Sequence, residues 1–551
     1  MKKLILSALS LTFILSAAFF ASGCGKKHEH KYTVTVIEPT CSSQGYTEHV
    51  CSCGKKYKDH YVESVDHKLN DDNVCSFCGK NASTGLSFSL EENGYALTGI
   101  GTCKDTDIII PKTYNGSPII AVNAAFKECN NLTSVTIPDS VLYIGNFAFK
   151  DCDWLTSITI PYSVQHIGYG VFNNCNNLTH LTWNAKSAYN DRRPAPYSLF
   201  YGCSNLTDVI FGNGVEYIHQ MIFDSCTTLK NITIPDSITE IGQSAFSSCN
   251  GVNVYISNLE QWCKISFADG GANPLRNAGK LYLNGKLIET LIIPDTITSI
   301  NDYAFYGCSS FTSVIIPQNI TSVGAAAFCT CSGLISITID CINSIDDYAF
   351  SGCKELKSVL WNAERCITAG SYGEFIFDNC KNLTNIEIGN NVKVLPPYVF
   401  ANCSGVTNIT IPDSVTAIGD YAFYSCTGLT TITIPDNVSY IGDSSFRGCI
   451  KLNNVIIGNS ATSIGERAFY ECSELVSIIL PDSVISIGRD AFFGCDEFEY
   501  VFYKGMLEQW KKITSYNSIL ESKVYFYRES MPTGYGNYWH YDVDGVTPVI
   551  W

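Results

Sequence analysis

One motif returns along this chain at nearly constant spacing: Phe-x-x-Cys occurs fifteen times between residues 126 and 495. Ten of the fourteen intervals between successive copies are 23 residues. A fixed period of this size is typical of a solenoid, in which each repeat forms one coil and packs on the next. The motif lies inside a longer frame, most complete over residues 429–449, so the repeating unit is a whole coil.

The apolar residues of one coil predict its path. An alternating Val-x-Ile segment predicts a short strand, and the Pro that follows ends the strand because Pro has no backbone N–H. An Ile-Gly pair then begins the return leg, where Gly permits a backbone that bulkier residues resist. Ordering 23 residues costs about 1–2 kcal/mol each, while eight buried apolar side chains return about 1.5–3 kcal/mol each. A single coil is therefore unstable, and consecutive coils have to stack with their strands in parallel.

The full frame is Leu-x-x-Ile-x-Ile-Pro-x-x-Val-x-x-Ile-Gly-x-x-x-Phe-x-x-Cys. It resembles the repeat of the BspA-like, or Treponema-type, leucine-rich-repeat family of bacterial surface proteins, over about residues 100–500. The resemblance implies a repeat solenoid, a leucine-rich-repeat horseshoe or arc with a parallel β-sheet on its concave face. It also implies attachment to host or bacterial surfaces, since family members are described as adhesins for matrix proteins. The family motif marks scaffold positions only, so it assigns no catalytic or binding residue.

The repeat pattern and its interruptions divide the chain. Two Leu-Glu-Gln-Trp segments, beginning at Leu259 and Leu507, break the rhythm, and each precedes a hairpin-like stretch, the second of which includes residues 524–527. The predicted segments are a signal peptide (1–24), a small Cys/His-rich module (25–80), a linker (81–101), a first repeat block (102–250), a helix and hairpin insert (251–290), a second repeat block (291–498) and a C-terminal helix-hairpin cap with a tail (499–551).

The N-terminus predicts export. Two lysines precede an apolar run of 17 residues, which is shorter than a membrane span. Cys24 follows small residues in a way that resembles the lipobox of bacterial lipoproteins, so we expect an extracellular, lipid-anchored protein at the cell surface, with plain secretion as the alternative. A net charge of −16 argues against binding to nucleic acid, which needs basic patches.

The cysteines of the repeats are expected to be buried thiols. Each occupies the same inward position, one rung from the next, where free Cys packs as a small hydrophobe. Stacked disulfides are the alternative in an exported protein. By the same counting, Trp183 and Trp361 fall where the frame has Ile, so both are expected in the core.

A second group of cysteines predicts a metal site. Cys51-x-Cys53 and Cys75-x-x-Cys78 both run into Gly-Lys, a layout that would place four thiolates around one tetrahedral ion, with zinc the natural candidate. The residues that could replace one ligand are Cys41, His49, His60 and His67. Two disulfides formed after export, or a disordered segment, are the alternatives to a structural zinc in 41–78. In each case we expect a minor module and not a catalytic zinc centre.

Two kinds of position predict ligand contacts. Outward-facing strand residues are short and polar, which suits a glycan or an extended peptide, although a solvated strand face explains them equally well. They include Ser134, Thr136, Ser157, Thr159, His180 and Thr182. The lengthened loops near 185–198 and 363–374 are the other candidates, because recognition commonly lies in loops on a rigid scaffold. These loops carry Tyr189, Arg192, Arg193, Tyr197, Arg365 and Tyr372.

No nucleophile elbow, zinc-protease motif or phosphate-binding loop is present in the sequence. We therefore expect a protein that is not an enzyme and that binds a host or bacterial surface protein or glycan without covalent chemistry. The alternative is a structural spacer or surface-layer scaffold with no dedicated ligand. A more remote alternative is an enzyme acting on polysaccharide, which would require a pair of carboxylates clustered in one cleft.

Overall fold

The computed structural model describes residues 14–15, 32–37, 41, 45–51, 56–62, 67–186, 199–340, 342–515, 524–532, 536–543, 545 and 547–551. The chain forms two compact units, Met1–Gly212 and Asn213–Trp551. Stacked coils of the predicted kind are present in both units, which confirms the repeat solenoid.

A regular coil has two strands. The main strand Thr431–Ile434 is followed by a turn at Pro435 and then by the short strand Tyr440–Ile441. Main strands pair in parallel with the main strands of the neighbouring coils, and short strands pair in parallel with short strands. The Ile-Gly return leg is thus a second ladder, two residues wide, which the sequence pattern did not reveal.

The first unit begins with an antiparallel sheet and continues into coils. The antiparallel strands are Ile14–Leu15, Tyr32–Ile37, Gly45–Cys51 and Lys56–Val62. The main strands are Asp107–Ile109, Ser134–Thr136, Ser157–Ile160, His180–Trp183 and Asp208–Phe211. The second ladder contains Ser117–Val122, Tyr143–Ile144 and His166–Ile167, and Thr113–Tyr114 pairs antiparallel with Ser117–Val122. Two residues of the predicted signal segment therefore pair with the module in the full-length chain.

Residues 81–101 are not a simple linker. The strands Ser87–Glu91 and Gly94–Gly99 form an antiparallel hairpin, and the second of them pairs in parallel with Ser117–Val122. The adjacent side chains of Ala96 and Leu97 are both buried, so this part of the strand is covered on both faces. The hairpin extends the second ladder at the N-terminal end of the coils.

The second unit carries most of the coils. Its main strands are Asn231–Thr233, Asn253–Ile256, Lys280–Leu283, Thr290–Ile292, Ser313–Ile316, Ser336–Asp340, Ser358–Asn362, Asn385–Ile388, Asn408–Thr410, Thr431–Ile434, Asn454–Ile457, Ser477–Leu480, Tyr500–Tyr503 and Val524–Tyr527, with Lys286–Leu287, Tyr538–Tyr541 and Pro548–Ile550 joining their sheets. Its short strands are Tyr217–Ile218, Glu240–Ile241, Ser266–Phe267, Ser299–Ile300, Ser322–Val323, Ser344–Ile345, Thr368–Ala369, Val394–Leu395, Ala417–Ile418, Tyr440–Ile441, Ser463–Ile464, Ser486–Ile487 and Thr514–Ser515.

The first Leu-Glu-Gln-Trp segment is a helix, Leu259–Lys264. The side chain of Asn258 caps it by accepting hydrogen bonds from the Glu260 and Gln261 N–H groups. The hairpin after it is also confirmed: Lys280–Leu283 pairs with Lys286–Leu287 across an Asn-Gly turn whose φ angles are 50° and 76°. Lys280–Leu283 also pairs in parallel with Asn253–Ile256, so the ladder continues through the insert. The insert is thus a modified coil whose Pro turn has been replaced by a helix.

The second Leu-Glu-Gln-Trp segment also forms a helix, Leu507–Trp510. The hairpin predicted around residues 524–527 is wrong, because Val524–Tyr527 continues the parallel ladder between Tyr500–Tyr503 and Tyr538–Tyr541. The antiparallel pair lies later, between Tyr538–Tyr541 and Pro548–Ile550. Trp539 is fully buried there and its indole N–H donates to the Tyr503 carbonyl at 3.1 Å, so this pair closes the end of the sheet.

The phenylalanines of the motif stack in a column through the core. Phe423, Phe446 and Phe469 follow one another with ring centroids 5.2 and 5.3 Å apart and nearly parallel planes. Trp183 and Trp361 are buried, as predicted for core residues. The column gives each coil an apolar partner above and below, which is what an isolated coil lacks.

The cysteines of the motif form a second column of buried thiols. All cysteines of the described residues are free, which agrees with the thiol interpretation and not with stacked disulfides. The Cys449 thiol donates to the Phe423 carbonyl at 3.2 Å, and Cys426 and Cys472 donate to the corresponding carbonyls of their preceding coils. These three thiols therefore fill small apolar positions and also donate to backbone carbonyls in the core.

Candidate binding surface and candidate metal centre

An inserted turn of the second unit projects the predicted contact residue Tyr372. It follows the short strand Thr368–Ala369 and is closed by a bridge between Ser371 and Glu374. Gly373 has a φ of 85°, which glycine adopts at little cost in such a tight turn. The Tyr372 side chain is 59% exposed. Arg365, the other residue predicted in this loop, is exposed earlier in the same coil.

Tyr372 packs on a group of rings that we call the tyrosine patch, defined as Tyr372, Phe375, Tyr398, Tyr421 and Tyr424. Tyr398 and Tyr421 stack with centroids 5.0 Å apart, because both stand two residues before a column phenylalanine and share a left-handed backbone. The Tyr372 ring contacts Tyr421 at 5.5 Å and Tyr424 at 5.9 Å. A side-chain hydrogen bond with Tyr424 raises the pKa of Tyr372.

The tyrosine patch continues into an arginine that the sequence analysis missed. The Arg447 guanidinium lies 4.8 Å from the Tyr470 ring centroid and 5.8 Å from that of Tyr424. Its Nε is buried and has no hydrogen-bond partner among the described residues. The signal in the sequence was a basic residue directly after the column Phe446, at the position where neighbouring coils have Tyr424 and Tyr470.

Neighbouring arginines show how unusual Arg447 is. Arg467 lies 3.2 Å from a Glu466 oxygen and 3.6 Å from an Asp490 oxygen, and Arg489 lies 2.9 Å from Glu466. Within the described part of the chain, Arg447 makes no such ion pair. It thus presents a positive charge, held by two aromatic rings, that no carboxylate of the described residues neutralises.

The strand face of the first unit contains the predicted polar residues in register. Ser157 pairs with His180, and Thr159 with Thr182, on adjacent parallel strands. Ser157 is exposed, while Thr159, His180 and Thr182 are half-buried. His180 lies 3.6 Å from the Asp208 carboxylate. These four residues form a shared polar surface.

Two other predicted contacts of the strand face are less accessible. Thr136 is only 6% exposed, so it is largely removed from the surface. Ser134 is half-buried, and its hydroxyl donates to the Asp107 carboxylate. The contact residues predicted in the loop near 185–198 lie outside the described residues; they are Tyr189, Arg192, Arg193 and Tyr197.

The Cys/His group of the first unit consists of Cys41, His67, Cys75 and Cys78, whose ligand atoms all lie within 4.8 Å of one another. The Cys41 and Cys75 sulfurs are 4.0 Å apart, and the Cys78 sulfur is 3.3 Å from His67 Nδ1. A tetrahedral ion bound at about 2.3 Å to sulfur and about 2.0 Å to nitrogen places its ligand atoms about 3.5–3.8 Å apart. The group can therefore hold a metal ion with little rearrangement.

This group contains two of the four predicted ligands. Cys75 and Cys78 are joined by Cys41 and His67, which the sequence offered only as replacements. Cys51 is buried in the strand Gly45–Cys51 and is not part of the group. Cys53 and Cys24, the predicted lipid-attachment residue, lie outside the described residues, as do the side chains of His49 and His60.

The thiols of the group differ in proton affinity. Burial raises the pKa of Cys75, but hydrogen bonds from the Cys78 and Phe77 backbone and from His67 lower it overall to about 6. Burial and the neighbouring Cys78 and Cys75 thiols raise the pKa of Cys41 to about 11. The thiols of the group thus hold their protons with unequal strength, and a divalent cation that bound them would displace those protons.

One pair of described carboxyl groups, those of Glu374 and Asp347, lies at the turn of Tyr372. Glu374 has a raised pKa because its carboxyl hydrogen-bonds with that of Asp347. Glu374 is exposed on the same open turn as Tyr372. Glycosidases place their two carboxylates on either side of a bound sugar, and an open turn does not provide that arrangement.

The parallel main strands, the second short ladder and the repeated Phe and Cys columns define a leucine-rich-repeat solenoid. A family model described as the BspA-type leucine-rich repeat region, in six copies, matches residues 119–253, 195–270, 279–407 and 370–499, which is more than half of the chain. The protein belongs to the BspA-type leucine-rich-repeat family.

Solved structures of bacterial leucine-rich-repeat proteins are similar to this chain. One is a leucine-rich cell surface protein from Faecalibacterium prausnitzii, 22% identical over 79% of this chain and 98% of its own, with a TM-score of 0.28. Another, from Bacteroides ovatus, is 22% identical over 81% and 98%, with a TM-score of 0.33. A third, from Eubacterium ventriosum, is 20% identical over 67% and 93%, with a TM-score of 0.36. No curated protein matches the chain.

The helices of the described residues are short. None of them has the length and apolar character that crossing a membrane requires.

Proposed function

We propose that this protein is displayed on the outer surface of a bacterial cell and binds a macromolecular partner non-covalently through the tyrosine patch and Arg447. The observation that carries the proposal is the exposed Tyr372 ring, which packs on the half-buried rings of Tyr421 and Tyr424. Tyrosine and arginine dominate the binding energy of protein interfaces, and tyrosine provides contact area at low cost in side-chain entropy. A passive spacer has no need of such a surface.

A protein partner with an acidic segment fits this surface best. The Arg447 guanidinium lacks an internal carboxylate among the described residues, and a carboxylate from a partner would form a charge-assisted hydrogen bond with it. Tyr398 and Tyr421 stack on each other, so one face of each ring is covered and cannot receive a sugar. The polar strand face, with Ser157 and Thr182, and the loop near 185–198 are secondary contact candidates, and a glycan is the alternative partner for them.

The test is a binding screen of the purified chain against immobilised matrix proteins, mucins and a glycan array. Tyr372→Ala and Arg447→Gln are each expected to weaken capture of the partner by at least about tenfold, as hot-spot residues do. Tyr162→Ala is the matched aromatic control, since Tyr162 is 64% exposed in the other unit. Arg489→Gln is the matched cation control, since Arg489 is already paired with Glu466.

The screen separates the candidate functions. Binding that is lost in Tyr372→Ala and Arg447→Gln but kept in both controls supports recognition by the tyrosine patch. Binding to a glycan that all four variants retain would move recognition to the strand face. If the chain captures nothing, the structural spacer replaces the adhesin-like function.

The mode of surface attachment is proposed from Cys24. Diacylation of this residue would hold the chain on the membrane without a spanning helix. The Cys24→Ser variant is then expected in the culture medium, while the wild-type chain, carrying the lipid, stays in the detergent-soluble membrane fraction. Equal release of both chains would favour plain secretion.

We also propose that the Cys/His group binds zinc. Three cysteines and one histidine are a common ligand set for structural zinc, and all four ligand atoms of this group are already gathered within 4.8 Å. Metal analysis of the purified chain should find one zinc per molecule. The absence of bound zinc, or mass-spectrometric detection of disulfides among these cysteines, would contradict this assignment.

A further inference from the structure

We infer that the metal of the Cys/His group fixes a cap on the first coil, so that the N-terminal end of the solenoid is closed in a metal-dependent way. The inference rests on the zinc binding proposed above and adds what the ion does for the repeats. The observations that carry it are the hydrogen bonds that join residues 67–83 to the strand Asp107–Ile109.

The strand Asp107–Ile109 is the first main strand, and its two sides differ. On one side it pairs in parallel with Ser134–Thr136. On the other side no main strand of the described residues pairs with it, and Ser83 takes that place: its N–H donates to the Ile109 carbonyl at 2.8 Å, and its hydroxyl accepts from the Ile109 N–H at 3.2 Å. Uncovered strand edges are prone to pair with other chains. Ser83 therefore covers the edge that the first coil would otherwise expose.

Asn73 and Lys80 anchor the same segment to the coil. The Asn73 side-chain oxygen accepts from the Lys112 N–H at 2.7 Å, and the Asn73 carbonyl accepts from the Ala82 N–H at 2.9 Å. Lys80 forms an ion pair with Asp107, inside the first main strand. The contacts of Asn73 with Lys112 and of Lys80 with Asp107 thus connect one short segment to the strand and to the turn that follows it, while the bond between Ala82 and Asn73 holds the segment itself together.

The anchoring residues and the metal ligands belong to one small fold. Cys75 donates its N–H to the Lys80 carbonyl at 2.8 Å and accepts from the Gly79 N–H at 2.8 Å. Bridges join Leu69 to Cys75 and Val74 to Asn81. The turn that presents Cys75 and Cys78 is therefore the same turn that positions Lys80 against the coil.

This segment has almost no apolar core of its own. Between residues 67 and 85 only Cys75 and Ser83 are buried, so burial of apolar surface stabilises it very little. Small polar segments of this kind generally need a metal or a disulfide to fold. A metal ion would tie Cys75 and Cys78 to His67 and to Cys41, which comes from a more distant part of the chain, and would thereby hold the cap in place.

The test is hydrogen exchange on the full chain, before and after removal of metal with a chelator. Metal removal is expected to speed exchange of the Ser83, Ile109 and Lys112 amides by at least about tenfold, since their hydrogen bonds define the cap. The strand Ser477–Leu480 of the other unit is the internal reference and should be unchanged. Re-addition of zinc should restore slow exchange.

Variants repeat the test without a chelator. Cys78→Ser removes an exposed candidate ligand and no core contact. This variant should reproduce the fast exchange of the metal-free chain. Cys329→Ser, at a partly exposed cysteine outside the group, is the matched control and should leave both exchange and zinc content unaltered. Cobalt(II) titration of each chain reports binding by the thiolate-to-cobalt charge-transfer band.

Each outcome has a definite meaning. Metal binding together with metal-dependent protection of the cap supports the inference. Stoichiometric zinc with no change in protection of Ser83, Ile109 and Lys112 would overturn the cap while leaving the zinc site intact. No metal bound by the full chain would overturn both.

Discussion

The cysteines of the repeats and the cysteines of the N-terminal group are the same residue in opposite environments. Cys449 is fully buried, donates its thiol to a carbonyl and has a pKa raised by burial. Cys75 is also buried, yet hydrogen bonds from the Cys78 backbone and the His67 ring outweigh that burial and lower its pKa to about 6. The difference teaches that neighbouring donors, and not burial alone, decide whether a cysteine is inert packing or a ligand.

Regular repetition is what produces the inert environment. The Cys426 thiol meets the Phe400 carbonyl of the preceding coil, and the Cys449 and Cys472 thiols meet the corresponding carbonyls of theirs. The N-terminal group has no repeat, and its candidate ligands are residues 41, 67, 75 and 78. In the N-terminal group the cysteines therefore face one another and a histidine, whereas in the repeats each cysteine lies in an apolar column.

Thiol labelling gives the largest expected contrast. In metal-free, folded protein at neutral pH, Cys78 should react with iodoacetamide at least about 1,000-fold faster than Cys426 and Cys449, because Cys78 is exposed while the column thiols are buried and burial raises their pKa. Peptide mapping by mass spectrometry measures each rate. Zinc should slow Cys78 alone, and comparable rates at all three sites would remove the distinction.

Substitution of a column cysteine tests its double role. Cys449→Ala removes both the packed sulfur and the hydrogen bond to the Phe423 carbonyl, so it should lower the free energy of unfolding by about 2 kcal/mol. Cys449→Ser keeps a donor but buries a hydroxyl in apolar surroundings.

Urea unfolding of the two variants separates these effects. A smaller loss for Cys449→Ser than for Cys449→Ala would show that the hydrogen bond dominates. Cys78→Ser in metal-free protein is the control and should change overall stability by less than about 0.5 kcal/mol, as exposed sites usually do. A column substitution with equally little effect would contradict the packing role.

The sequence predicted the periodic parts of this protein far better than its local sites. Repetition identified the coils, the buried thiols and the core positions of Trp183 and Trp361, because each coil repeats one environment. It also located the turn of Tyr372, since an insertion interrupts the period. It did not reveal Arg447 between two tyrosines, which depends on side chains meeting across coils.

The ligand set of the N-terminal group was predicted only in part, for a similar reason. Cys75 and Cys78 are close in sequence, so their spacing alone indicated a shared site. The choice of Cys41 and His67 depends on how separate segments of the first unit pack, and spacing carries no information about that. The hairpin at 87–99 was missed because its two strands are short, show no regular alternation of buried and exposed residues and lie outside the repeat.

The cysteines at the two ends of the column should be labelled at rates between those of the exposed Cys78 and the buried column thiols. Cys129 and Cys495 are half-buried, while the thiols inside the column are almost fully buried. Labelling at these two sites is expected to be about tenfold faster than at Cys449, since their thiols are more accessible to the reagent. The same mass-spectrometric experiment measures both. Rates equal to that of Cys449 would mean that the caps protect the terminal coils as well as the coils protect each other.

Burial also changes the proton affinity of a histidine of the repeats, His219. The free energy of unfolding should therefore depend on pH in a defined direction. Burial of His219 in the second unit lowers its pKa to about 4, so the folded state keeps the ring neutral while the unfolded state takes up a proton near pH 6.5. The stabilising contribution is complete above about pH 6.5 and is lost as the pH falls toward 4. Because the side chain is only partly buried, we expect a loss on the order of 1 kcal/mol between these limits.

Urea unfolding at pH 7 and pH 4.5 measures that loss in the unmodified chain and in two variants. His219→Gln has no titrating ring and should show a smaller drop in stability across this range. His180→Gln is the control, because His180 is half-buried beside Asp208 on the strand face and not in an apolar site. If His219→Gln and the unsubstituted chain lose the same stability, the acid sensitivity comes from other groups. Burial within the coils would then not lower the pKa of the His219 imidazole in the way that it raises the pKa of the thiols.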